Sequence, residues 1–149
     1  MVDYLAIKTL HVIGAVLLVG NVTVTGAWSF YMYRHWRDGT LPFRPVARAI
    51  LWTDLLFTAG GGAALTVSGV WMILRMDYPV LETPWLLKGI VALSVSTLSW
   101  LRVLIPDQLR LERAEDPAMI RRVVLRWSVV GWASTLLLFY ALWAMVTRR

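Results

Sequence analysis

Four long apolar stretches limit what this chain can fold into. They cover residues 4–33, 49–74, 85–105 and 127–146. A helix needs about 20 apolar residues to cross a bilayer, so each stretch is long enough to form one such helix. Hydrophobic residues make up 58% of the 149 residues, more than a soluble domain of this size carries. We therefore predict an all-α integral membrane protein, a bundle of four transmembrane helices in one domain over residues 1–149.

The first stretch is interpreted as a retained helix and not as a cleaved signal peptide. It begins beside an acidic residue, Asp3, and lacks a small-residue cleavage site. The chain contains no cysteine. Disulfides, thiolate metal ligands and iron–sulfur clusters are therefore excluded.

The distribution of charge predicts the orientation in the membrane. The second connection between the stretches is short and offers Arg75 against Asp77 and Glu82. The first and third connections are rich in arginine: Arg34, Arg37, Arg44 and Arg48 in the first, and Arg102, Arg110, Arg113, Arg121, Arg122 and Arg126 in the third. By the positive-inside rule these two connections face the cytoplasm and both termini face outward. Topology thus explains the net charge of +6, so we expect a multi-pass protein of a bacterial cytoplasmic (inner) membrane, contacting lipid and not nucleic acid.

Small and polar residues share one face of the first stretch. His11, Gly14, Leu18 and Asn21 recur at steps of three and four, which places them on one side of a helix. Because a polar stripe has no partners in lipid, we expect this side to face other helices. The second stretch carries the run "AGGGAA", which permits a close approach between helix backbones.

The ionisable residues inside the stretches fall into two groups by depth. Asp54 and Arg102 both lie in the predicted inner leaflet, and we predict that they form a structural salt bridge. His11 and Lys88 both lie in the outer leaflet, about two turns and one turn from the outer helix ends. Taken alone, Lys88 is explained by a side chain that extends to the headgroups. Lys8 is interpreted as an interfacial anchor.

Two sequence motifs resemble those of a known superfamily. "YLAIKTLHVIGAVLLVG" and "TPWLLKG" are similar to signatures of the small four-helix membrane proteins that include HemJ-type protoporphyrinogen IX oxidases and CopD-like copper-resistance proteins. Over nearly its full length the chain most resembles an uncharacterised branch of predicted integral membrane proteins. Its remaining points of similarity are a glycine-rich second helix that ends in "SGVWM" and a tryptophan and lysine that open the third.

The resemblance to the oxidases implies a b-type haem or porphyrin site. It implies His11 as the metal ligand and Lys88 as the catalytic residue and cofactor contact. Asn21, which lies on the same helix face as His11, is a further candidate cofactor contact. The protein would then be an oxidoreductase of the protoporphyrinogen oxidase type, with quinone as one acceptor of electrons. However, the oxidases have an arginine and a further histidine late in their first helix, where this chain reads "TGAWSFYMYRHW". Whether the chain is an enzyme is therefore left open.

Two alternatives stand beside the haem hypothesis. In the first, a copper-handling protein of the CopD-like type would use His11 together with Met72, Met76 and Met145, because soft ligands suit Cu(I). In the second, the chain is a non-catalytic accessory subunit of a larger respiratory or photosynthetic membrane complex, or it forms a homo-oligomer. In that role His11 and Asn21 would only hydrogen-bond between helices.

Overall fold

The computed structural model describes residues 3–39, 43–114 and 116–149, and every regular element in these ranges is helical. Four long helices follow one another along the chain, with a 3₁₀ turn at Val80–Glu82 between the second and third. Helix α1 is Tyr4–Arg37 and helix α4 is Pro117–Thr147. Helix α2 consists of Phe43–Thr53, the π-helical segment Asp54–Ala59 and Gly60–Met76. Helix α3 consists of Pro84–Ser99, the π-helical segment Trp100–Leu104 and Ile105–Arg113. All four are long and apolar enough to cross a membrane, which confirms the predicted all-α architecture with four spans.

Local capping sets the start of two helices. The carboxylate of Asp3 accepts a hydrogen bond from the backbone N–H of Leu5 at 3.1 Å, before α1. Asp116 does the same for the N–H of Ala118 at 3.0 Å, before α4. Each aspartate thus satisfies a backbone donor that has no partner within its helix. Prolines open α3 and α4, at positions where the missing N–H costs nothing.

The helices are longer than the apolar stretches at one end of the bundle. We name this the arginine-rich end: it is the end at which α1 leads into α2 and α3 leads into α4. There the extra turns are amphipathic and bury a compact cluster against one another. Its buried members are Met32, Ala47, Ile50, Leu104, Leu111, Ile120, Val123, Val124 and Trp127. Packing of these side chains, and not hydropathy, extends the helices beyond their membrane-spanning parts.

The four helices form a ring in which neighbouring helices pack against each other, except along part of the boundary between α2 and α3. Helix α1 packs against both α2 and α4, and α3 packs against α4. Helices α2 and α3 pack closely through Phe43–Thr53 and Ile105–Arg113, at the arginine-rich end. In the described residues, the rest of α2 and α3 does not form such a packed pair. The ring is therefore open between α2 and α3 over its other half.

A glycine contact brings α1 and α2 close together. A Cβ atom built on Gly14 would lie 2.8 Å from the carbonyl oxygen of Gly61 and 2.8 Å from the backbone nitrogen of Leu65. A Cβ built on Gly61 would lie 2.9 Å from the carbonyl oxygen of Gly14. Only glycine allows this approach, as expected from "AGGGAA" and the small residues of α1.

Candidate functional site in the helix bundle

The four helices surround a cavity of about 380 Å³. Its walls come from residues 18–26 of α1, 54–67 of α2, 93–104 of α3 and 127–138 of α4. Most of the wall is apolar, and three tryptophans contribute to it: Trp100, Trp127 and Trp132. Asp54 lies in the wall towards the arginine-rich end, where α2 begins to line the cavity. The cavity therefore combines a largely apolar space with one carboxylate.

Neutral side chains hold the carboxylate of Asp54 in place. Its Oδ1 accepts a hydrogen bond from Nδ2 of Asn21 at 2.7 Å, and its Oδ2 accepts one from Nε2 of Gln108 at 2.5 Å. The hydroxyl of Thr58 lies 3.4 Å from Oδ1 and itself accepts from Asn21 at 2.9 Å. Asp54 is 4% exposed. Three helices thus converge on one buried carboxylate, at the first residue of the π-helical segment of α2.

The predicted pairing of Asp54 with Arg102 is not seen. Arg102 is exposed, whereas Asp54 is buried. The ion pairs among the described residues are Arg37–Asp38, Arg48–Glu112, Arg110–Asp107 and Arg126–Asp107. Depth counting places two residues at the same level of a bilayer but does not say which way each side chain points. In the structure Asp54 points to the interior, so its partners are the amides of Asn21 and Gln108 instead.

Sequence reasoning missed Asp107 and Gln108. Asp107 is fully buried and accepts hydrogen bonds from Arg126, with Nε at 2.8 Å, and from Nη1 of Arg110 at 3.1 Å. Both residues were overlooked because the third apolar stretch ends at Ile105, before a proline and a run of charges. The spacing of Asp107, Gln108 and Leu111 on one helix face was the available signal.

His11 belongs to the α1–α2 contact and not to the cavity. Its Nδ1 lies 3.0 Å from the hydroxyl oxygen of Ser68 on α2, and its ring packs over Gly69. The cavity wall on α1 begins at Leu18, two turns away. Lys88 is exposed on α3. The structure therefore brings Asn21 to Asp54 and His11 to Ser68, and no hydrogen bond between His11 and Lys88 is seen in the described part of the chain.

The haem and copper hypotheses for His11 stay predictions. Among the described residues, no three His, Asp or Glu side chains are grouped so that they could hold a metal ion. Met145, one of the candidate soft ligands, packs against Gly89 of α3.

Three buried polar atoms near the arginine-rich end of the cavity have no hydrogen-bond partner in the described part of the chain. They are Nε1 of Trp100, Nε1 of Trp127 and Oε1 of Gln108. Unpaired buried polar atoms are costly and uncommon in native proteins. The interior at this end therefore contains polar atoms that the described side chains do not satisfy.

Comparison with known proteins places the chain in a family. The model of a family described as "Predicted integral membrane protein (DUF2269)" matches residues 5–149. Searches of curated proteins and of solved structures gave no match. The relationship to the HemJ-type and CopD-like proteins stays a prediction. The family match covers nearly the whole chain and agrees with its four apolar helices. The chain belongs to the DUF2269 family of predicted integral membrane proteins.

Proposed function

We propose that the protein binds a lipid-soluble molecule inside the membrane, in the cavity between its four helices. The observation that carries this proposal is the cavity itself, with its largely apolar wall, its tryptophans and the single carboxylate of Asp54. Ligand pockets in proteins combine apolar walls with a few placed polar groups in this way.

The arrangement of the helices supports entry from the bilayer. Helices α2 and α3 pack closely at the arginine-rich end and separate beyond it. A molecule dissolved in the lipid would enter through this opening and move its polar part towards Asp54. Its apolar part would remain next to the lipid, so that binding would not require passage through water.

Two glycines on α2 provide a matched test. A side chain added at Gly62 would point into open space and narrow the cavity, because Gly62 belongs to its wall. A side chain added at Gly60 also meets nothing within 4 Å, but Gly60 lies outside the wall. Gly62→Leu should therefore block binding, whereas Gly60→Leu should not, although both changes place the same side chain on the same helix.

Photolabelling in reconstituted vesicles would measure the difference. A neutral apolar diazirine would be dissolved in the bilayer, and the labelled residues identified by mass spectrometry. We expect labelling of Thr58 and Thr135, which line the cavity, to saturate and to fall with excess unlabelled probe. Lipid-facing Leu136 should label without saturation. Equal saturable labelling of Thr135 in Gly62→Leu and Gly60→Leu would reject the proposal.

The earlier hypotheses about function stay predictions. The hydrogen bond between Nδ1 of His11 and Ser68 is the interhelical role expected of a non-catalytic accessory subunit. The same contact would also orient a histidine that binds haem through its Nε2 atom, so it does not separate the two hypotheses. A reduced-minus-oxidised absorption spectrum of the purified protein, compared with His11→Ala, tests the b-type haem. Titration with Cu(I) tests the copper alternative. Oligomeric state, a partner complex and quinone as electron acceptor are likewise open to experiment.

A further inference from the structure

We infer that the molecule bound in the cavity is an organic cation, whose positive charge pairs with the carboxylate of Asp54. The inference rests on the proposed function, since it names the class of ligand for the same cavity. It starts from an imbalance of charge in the described residues. Asp54 is buried in a candidate membrane span, and none of the four ion pairs seen there includes it.

An unpaired carboxylate is costly at this depth. Moving a charged group from water into a medium of low dielectric constant carries a penalty that only an opposite charge and hydrogen bonds repay. The amides of Asn21 and Gln108 and the hydroxyl of Thr58 supply hydrogen bonds but no charge. In its ionised form the carboxylate therefore has no opposite charge beside it among the described residues, and a cationic ligand in the adjoining cavity would provide one.

The cavity wall suits an organic cation better than a metal ion. Trp100, Trp127 and Trp132 line the same cavity as Asp54. Indole faces attract cations, most strongly where water is excluded, and they also accommodate the apolar groups of a quaternary ammonium. A small metal ion would instead need several oxygen or nitrogen ligands, and no such group of acidic or histidine side chains occurs in the described ranges.

The hydrogen bonds around Asp54 also prepare the carboxylate for binding. Asn21 comes from α1, Thr58 from α2 and Gln108 from α3, so donors from three helices fix the carboxylate at the edge of the cavity. A fixed acceptor loses little freedom when a ligand arrives, which favours binding. Hydrogen bonds to a charged acceptor are also among the stronger ones in proteins.

Two photoprobes of the same shape would test the inference. One diazirine would carry a trimethylammonium group, and the other a neutral tert-butyl group in its place. Each would be titrated into vesicles that contain the wild-type protein, Asp54→Asn or Asp77→Asn. Asp77 is the control, because it is exposed in the connection between α2 and α3 and has a left-handed backbone that asparagine also adopts.

We expect Asp54→Asn to raise the concentration of cationic probe needed for half-maximal labelling of the cavity by about tenfold or more. Labelling by the neutral probe should stay unchanged, which also shows that the variant is folded. Asp77→Asn should match the wild type with both probes. Should Asp54→Asn fail to fold, the two probes are compared in the wild type: the cationic probe should reach half-maximal labelling at the lower concentration, and equal concentrations for the two probes would overturn the inference.

The outcomes separate the two proposals. Wild-type labelling of the cavity by the neutral probe alone would overturn the cation inference and leave the proposed function standing. Cationic labelling that is equally strong in folded Asp54→Asn would also overturn it. Saturable labelling by neither probe would overturn both proposals.

Discussion

At the residue scale, polar side chains of α1 are used to bind α2. His11 contacts Ser68, and Asn21 contacts both Asp54 and Thr58. In lipid these groups have no water to bond with, so each finds its partner on a neighbouring helix. The position of a histidine in an apolar helix thus has a structural explanation: its ring lies between helices, with Nδ1 3.0 Å from the hydroxyl oxygen of Ser68.

The contact between His11 and Ser68 should have a measurable coupling energy. We expect the His11→Ala and Ser68→Ala changes to be non-additive in the free energy of unfolding, by about 0.6 kcal/mol and at most about 1.7 kcal/mol. The four proteins of this double-mutant cycle would be unfolded in detergent micelles.

A second cycle serves as the control for this coupling. His11→Ala combined with Ser128→Ala should be additive, because Ser128 lines the cavity on α4 and is remote from His11 in the described contacts. Additivity in both cycles would mean that the hydrogen bond contributes nothing to stability.

At the element scale, the extents of the helices show what hydropathy predicts and what it misses. The four apolar stretches gave the four helices, because a span requires about 20 apolar residues whatever they pack against. The amphipathic turns at the arginine-rich end carry charges, so hydropathy assigned them to connections. Their helical state depends on long-range packing, for example of Ile50 and Leu111 within one buried cluster.

Pro106 illustrates the limit most clearly. In a regular α-helix its ring would clash with the carbonyl group of residue 102, and it lacks an N–H to donate. The sequence therefore predicts that the helix ends near this point. In the structure the preceding residues, Trp100–Leu104, form a π-helical segment and the helix continues to Arg113. Local widening of this kind accommodates irregular residues inside long helices. The continuation is what carries Gln108 to Asp54.

The close contact of α1 and α2 predicts a sharp difference between two glycines. Gly14→Ala should destabilise the protein, because the new Cβ would meet backbone atoms of Gly61 and Leu65 and separate the helices. Overpacking of this kind costs about 1–3 kcal/mol. Gly20→Ala, where a Cβ meets nothing within 4 Å, should leave stability equal or slightly higher. Thermal unfolding in detergent measures both; equal midpoints for the two variants would contradict the glycine contact.

At the scale of the whole molecule, the bundle is held firmly along one side and at one end. Glycines join α1 to α2, and the arginine-rich end is tied by the buried Asp107, whose carboxylate joins α3 to Arg126 of α4. Arg48 and Glu112 add an ion pair between α2 and α3 at 3.7 Å, with the arginine largely exposed. In the described residues, the half of the ring between α2 and α3 that lies away from this end has no such ties.

The candidate site could be predicted only in part from the sequence, because its residues come from all four helices and meet only in the folded bundle. Asn21 and Asp54 stood out in the sequence as polar residues within apolar stretches, where such residues need partners. Their meeting, and the choice of Gln108 over Arg102, depends on how α1, α2 and α3 rotate against one another. The cavity has no sequence signature, since its walls are ordinary helix residues.

The predicted orientation of the whole bundle can be tested with single cysteines, because the chain has none of its own. Leu81 lies in the connection between α2 and α3 and is 84% exposed, and Asp38 lies at the arginine-rich end and is also exposed. Each would be replaced by cysteine in a separate variant, Leu81→Cys and Asp38→Cys. The positive-inside rule places the arginine-rich end in the cytoplasm. In spheroplasts of a bacterial host, a membrane-impermeant maleimide should therefore label Leu81→Cys at once and Asp38→Cys only after permeabilisation. The opposite labelling pattern would mean that the orientation is the reverse of the predicted one. Labelling of both variants in sealed spheroplasts would place both positions on the same side of the membrane and contradict a single crossing by α2 between them.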